Sequence, residues 1–159
     1  MRIWNAKMLT LALLGSVLLL LGVAQGQSEK RVKMKDLPKA VQQTVQEQSK
    51  GATLKGLAKE VEEGKTFYEA ELMVNGHTKD VLIDPSGAVV EVEEEMPLTS
   101  LPAEVKAEFE KQAGKGKILK VESVTKGGTL AFYEAKIKKA GKTSEVKVGP
   151  DGKVIGKDK

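Results

Sequence analysis

The chain has 159 residues, of which 40% are hydrophobic and 30% charged, with a formal net charge of +4. This is a globular composition rather than a disordered or fibrous one. There is no cysteine and one histidine, His77. A disulfide framework, a thiolate metal centre and a cysteine nucleophile are therefore excluded, and a histidine-based metal site or catalytic triad has almost nothing to be built from.

The first seven residues carry Arg2 and Lys7 and no acid, Met8 to Val23 is an apolar run of 16 residues, and the small residues Ala24 and Gly26 stand just ahead of Gln27. A basic start, an apolar middle and a small-residue end predict a secretory signal peptide over residues 1–26. The run is shorter than the roughly 20 residues of a comfortable membrane span, so cleavage is preferred to anchoring. The protein is expected to be secreted or periplasmic, touching the membrane only through this segment before cleavage. Loss of Arg2 and Lys7 leaves a net charge of +2, which does not support a nucleic-acid partner.

The remaining 133 residues repeat with an offset of 64 or 65. Leu37-Pro38-Lys39-Ala40-Val41 falls on Leu101-Pro102-Ala103-Glu104-Val105, and Phe67-Tyr68-Glu69-Ala70 falls on the identical Phe132-Tyr133-Glu134-Ala135. Asp84-Pro85-Ser86-Gly87 falls on Gly149-Pro150-Asp151-Gly152. Matches in this order predict a duplication, with units over residues 27–96 and 97–159.

Each unit opens with an amphipathic helix. Leu37, Val41 and Val45, and then Leu101, Val105 and Phe109, recur at i, i+4 and i+8, which places a narrow apolar stripe on one face. Pro38 and Pro102 suit a first helical turn, Asp36 and Ser100 are candidate caps, and Gly51 and Gly114 are candidate stops. Strands follow. Phe67 to Val74 and Phe132 to Lys138 alternate, with Tyr68, Ala70 and Leu72, or Tyr133, Ala135 and Ile137, on the apolar side. This is the pattern of half-buried antiparallel strands. Asn75-Gly76 predicts a two-residue hairpin turn leading into His77 to Ile83; Lys142 to Val148 is the counterpart. Asp84-Pro85-Ser86-Gly87 predicts a turn before a strand over Ala88 to Glu93, matched by Lys153 to Ile155. An earlier strand is expected in each unit, over Ala52 to Glu62 and Lys117 to Thr125, with Gly56 interrupting the first. The expected fold is α+β: two tandem units of a helix and four antiparallel strands, joined into one continuous curved sheet with the helices on one face.

Leucine-proline at a short helix start, the Tyr-Glu-Ala strand, the Asn-Gly-His hairpin and the Asp-Pro-Ser-Gly turn resemble the PepSY-like domains of exported bacterial proteins. The tandem arrangement is similar to the beta-lactamase inhibitor protein architecture, in which two helix-plus-four-strand units form one curved sheet. The resemblance covers nearly all of residues 33 to 156. It implies an extracytoplasmic, non-catalytic module of a kind associated with restraining peptidases or other enzymes. It carries no target identity, because the mature chain offers only Phe67, Tyr68, Phe109, Phe132 and Tyr133 as aromatics, whereas that inhibitor's binding face is rich in them.

Few residues invite chemistry. Glu93-Glu94-Glu95 reads as a solvated strand end and linker between the units. Asp84 and Asp151 read as turn formers, since the further oxygen ligands of a calcium loop are missing. The lone His77 reads as an exposed hairpin residue, and Lys115 and Lys117 as a solvated loop. Glu69 with Glu71 or Glu134 imitates an acid/base pair, but period-two placement on a polar sheet face accounts for it. No nucleophile elbow or phosphate loop is present, so neither enzymatic activity nor a cofactor is expected, and no metal site is assigned. One constellation remains. Phe67, Glu69 and Glu71 in the first unit, and Phe132, Glu134, Lys136 and Lys138 in the second, lie on the strand face opposite the core tyrosines. An exposed aromatic among charges is a candidate protein-binding patch. The charge also divides, with residues 27–96 at net −4 and 97–159 at net +6, an asymmetry that can orient a partner. The expected function is docking of an extracytoplasmic protein, as an inhibitor or modulator of an enzyme; the alternative is a periplasmic metal- or stress-responsive sensor.

Overall fold

The computed structural model describes residues 28–62 and 64–158; the expected signal peptide lies outside them. The elements run β1 (Ser28–Arg31), α1 (Lys39–Gln48), β2 (Thr53–Glu62), β3 (Lys65–Val74), β4 (His77–Ile83), β5 (Val89–Glu95), α2 (Ala103–Ala113), β6 (Lys117–Lys126), β7 (Thr129–Lys139), β8 (Lys142–Val148) and β9 (Val154–Asp158). All nine strands form one open sheet in sequence order, each antiparallel to its neighbours.

The helices form where the apolar spacing requires them. Val41 and Val45 on α1, and Val105 and Phe109 on α2, are fully buried. Burial of such side chains contributes roughly 1.5–3 kcal/mol each before the entropy of ordering is counted. The first core packs α1 against Leu57, Ala70, Leu72, Val81 and Ile83; the second packs α2 against Val121, Tyr133, Ala135, Ile137, Val146 and Val148. Both cores lie on the same side of the sheet. Ala70 pairs with Val81 and Val81 with Val92, Val92 pairs with Thr125, and Val121 lies four residues back along β6, so the helix-facing row is continuous across the centre.

The hairpin at Asn75-Gly76 has positive φ at both positions, 51° and 88°, as a twisted two-residue turn requires. Ala140-Gly141 does the same between β7 and β8, at 50° and 80°, although alanine at that position gives no sequence signal. Gly56 sits at a register shift between β2 and β3, the bulge that breaks the alternation there.

Three expectations need correction. Asp36 and Ser100 cap nothing: each closes a short 3-10 turn, Met34–Asp36 or Leu98–Ser100, and Pro38 and Pro102 themselves occupy the N-cap positions without a side-chain cap. The sheet has an additional edge strand, β1, paired along Val61 to Ala58 of β2. Glu93-Glu94-Glu95 is no linker. It belongs to β5, whose hydrogen bonds to both β4 and β6 make it the central strand of the sheet.

Candidate functional site: the open face of the sheet

Because side chains alternate across a strand, the positions opposite the two cores form a second surface that neither core covers. Ala58 and Glu60 on β2 stand beside Glu69 and Phe67 on β3, then Asp80 and Leu82 on β4 beside Glu93 and Glu91 on β5. Across the centre, Glu93 pairs with Val124 and Val124 with Phe132. This surface encloses a hollow of about 690 Å³ lined by ten acidic side chains and four lysines, with Leu82 and Phe132 among them.

The hollow is electrostatically uneven. On its β6–β9 side the lysines are matched to carboxylates: Lys120 to Glu122 at 2.6 Å, Lys126 to Glu91 at 3.0 Å, Lys136 to Glu145 at 3.0 Å, and Lys147 to Glu134 at 3.6 Å and Asp158 at 3.0 Å. Glu122 is only 9% exposed, and the Lys120 ammonium supplies the countercharge its burial demands. Two of these ammoniums stand over the Phe132 ring, Lys126 at 5.6 Å and Lys147 at 5.7 Å from its centroid, within cation–π range.

On the β3–β5 side the balance is different. Among the described residues no lysine or arginine forms an ion pair with Glu69, Asp80 or Glu93. Burial, together with the charge and hydrogen bond of Glu60, pushes the Glu69 carboxyl up to about 8. Burial and the neighbouring carboxylates of Glu122 and Glu134 push Glu93 up to about 7. Asp80 is raised chiefly by burial, and so is Glu134, with Glu145 adding to it. Glu95, in contrast, is lowered because the Thr78 backbone N–H donates to it at 3.0 Å. Where a carboxylate is crowded by its own kind and drawn out of water, the neutral form is favoured.

Two groups of three carboxylates have oxygens within 4.8 Å of one another: Glu29, Glu69 and Glu71, and Asp80, Glu93 and Glu122. An internal cation pairs with only part of each group, leaving Glu69, Asp80 and Glu93 without an ion pair of their own among the described residues. Arg31 pairs with Glu71 at 2.7 Å and reaches Glu29 at 3.9 Å, and Lys120 serves Glu122.

A second hollow of about 660 Å³ adjoins the first, sharing Glu62, Leu82, Glu91 and Lys126 with it. Phe67, Pro85 and Val90 line it, so it forms an apolar shelf beside the acidic centre.

The residues singled out from sequence fall as follows. Glu69, Phe132, Glu134 and Lys136 line the main hollow, and Phe67 lines the shelf. Glu71 is tied to Arg31 at the β1 side, and Lys138 is exposed beyond the hollow. Sequence reasoning missed Asp80, Leu82, Lys120, Glu122 and Lys147, and set Glu93 aside as part of a solvated run. Their alternation within each strand was visible, but their convergence depends on register across strands far apart in sequence. His77 is exposed, 4.0 Å from Glu95. Asp84 accepts from the Ser86 and Ala88 N–H groups at 2.8 and 3.1 Å, as a turn former does.

A nine-stranded antiparallel sheet with both helices on one side defines an α+β protein with one open sheet face. A family model described as "Putative beta-lactamase-inhibitor-like, PepSY-like" matches the chain twice, over residues 26–89 and 66–156, and the chain belongs to that family. Solved structures share the fold at low identity. A BLIP-like protein from Bacteroides fragilis is 17% identical, with 77% of this chain and 85% of that one covered and a TM-score of 0.57. A DUF2874 family protein from Bacteroides uniformis is 19% identical, with 76% and 87% covered and a TM-score of 0.61. A chain from Bacteroides eggerthii described among "putative periplasmic proteins" is 20% identical, with 77% and 88% covered and a TM-score of 0.64. No curated protein matches.

Proposed function

We propose that this protein is an exported, non-catalytic binding module, built of two tandem units over residues 27–96 and 97–159, that docks another extracytoplasmic protein on the open face of its sheet and thereby modulates it. The observation that carries this reading is the one-sided packing: both apolar cores lie behind the sheet, and the other face keeps a hollow in which aromatic, apolar and charged side chains stand together. Such a mixed surface of aromatic anchors among charges is what protein interfaces use. Export is supported by the basic, apolar and small-residue order of the first 26 residues, and a periplasmic setting by the description of the Bacteroides eggerthii neighbour.

The test is chemical cross-linking and pull-down of the exported protein in its native host, comparing the unaltered chain with Phe67→Ala/Phe132→Ala. Loss of the captured envelope protein with the double variant, while its circular dichroism is unchanged, supports the reading. Undiminished capture means that the docking face lies elsewhere.

A further inference from the structure

The reading above leaves the partner's chemistry open, and the hollow's charge distribution narrows it. Ten acids face four lysines there, in a chain whose formal net charge is positive. The four lysines are committed to Glu122, Glu91, Glu145, Glu134 and Asp158. Glu69, Asp80 and Glu93, none of them in an ion pair although Lys120 acts on Asp80 from farther off, form a strip on three adjacent strands in the middle of the face. The apolar shelf of Phe67, Leu82 and Val90 lies directly beside that strip. The rest of the face shows how such carboxylates are settled, since Arg31 and Lys120 already serve their neighbours.

We propose, building on the docking reading, that the strip of Glu69, Asp80 and Glu93 receives a lysine or arginine side chain presented by the partner protein, with an adjacent apolar residue of that partner resting on Phe67, Leu82 and Val90. A cation entering between these groups favours their ionised form and makes with it the charge-assisted bonds that no lysine or arginine of the described residues makes at ion-pair distance. An anionic partner segment meets the opposite, since like charges juxtaposed in a half-buried hollow oppose binding. Because Glu69 and Glu93 hold their protons up to about 8 and about 7, a cation that binds at neutral pH expels protons from them.

The probe is an acetylated and amidated heptapeptide alternating lysine and leucine, with fluorescein attached, titrated with the exported chain and followed by anisotropy. Its controls replace every lysine by glutamate or every leucine by glycine. The glutamate peptide is expected to bind at least tenfold more weakly. Glu69→Gln/Glu93→Gln should weaken the lysine-leucine peptide about tenfold, whereas Glu104→Gln/Glu110→Gln on exposed α2 positions should change it less than twofold. Phe67→Ala should weaken the lysine-leucine peptide and leave the lysine-glycine one unchanged. Calorimetry in buffers of different ionisation enthalpy should show proton release at pH 7. Equal binding of the glutamate peptide, indifference to Glu69→Gln/Glu93→Gln, equal loss in the α2 variant, or no binding at about 1 mM protein each overturns the proposal. The docking reading is judged separately by the envelope cross-links. If the native partner is lost with Phe67→Ala/Phe132→Ala but kept by Glu69→Gln/Glu93→Gln, the face is right and the cationic ligand wrong.

Discussion

Replacing Glu69 by glutamine should make the protein more stable at pH 8 and leave it nearly unchanged near pH 4.5. The Glu69 carboxyl, half-buried and hydrogen-bonded to Glu60, is pushed from 4.5 up to about 8 in the folded chain. Between those values the folded state holds a proton that the unfolded chain has released, so stability falls as pH rises through that window. Without screening, a shift of this size corresponds to roughly 5 kcal/mol at about 1.4 kcal/mol per pH unit. Solvent reaches part of the side chain, and screening of partly exposed charges reduces this to about 1–2 kcal/mol. Glutamine has no proton to lose and can still donate to Glu60. Urea denaturation followed by circular dichroism, at pH 5 and pH 8 for both proteins, measures the difference. The wild-type chain should lose about 1–2 kcal/mol more than Glu69→Gln on going from pH 5 to pH 8. Parallel losses, or a variant less stable at pH 8, would refute the claim that this carboxyl is crowded and desolvated.

Other perturbations probe the frame around the site. Phe109, on the core face of α2, is fully buried, and Phe109→Ala should cost about 3–5 kcal/mol in the same denaturation assay. Gly87 has φ of +90°, and a Cβ there would stand 3.0 Å from the Ala40 backbone, where Thr44 donates to the Gly87 carbonyl at 2.6 Å; Gly87→Ala should destabilise by about 1–3 kcal/mol. Lys120→Met strips the nearly buried Glu122 of its cation and should cost about 3 kcal/mol at pH 8.

How much of this was legible in the sequence depended on the range of the interaction involved. The Asn75-Gly76 hairpin was legible because its positive φ values are local demands, and the buried faces of α1, β3, β4, β7 and β8 because periodicity is local too. The caps were misplaced because Leu37 and Leu101 look like helical positions but precede the proline N-caps, in extended backbone after a 3-10 turn. Strand β1 has no apolar alternation in Ser28-Glu29-Lys30-Arg31; what holds it is pairing to β2 thirty residues away. Glu93-Glu94-Glu95 resembled a solvated run because three acids in a row ordinarily are one. Its place in the middle of the sheet follows from pairing with Val124, Ser123 and Glu122, which no window along the chain reveals. The candidate site shares that origin: each carboxylate was visible on its own strand, but the hollow exists only once the register stacks them.

The central claim is that a protein partner sits on the face away from the helices. A photoreactive phenylalanine analogue placed at Leu82, in the hollow, or at Gln43, exposed on α1, tests it directly when the exported protein is irradiated in its native host. Leu82 should yield a discrete protein adduct and Gln43 none. An adduct from Gln43 with Leu82 silent would contradict the account.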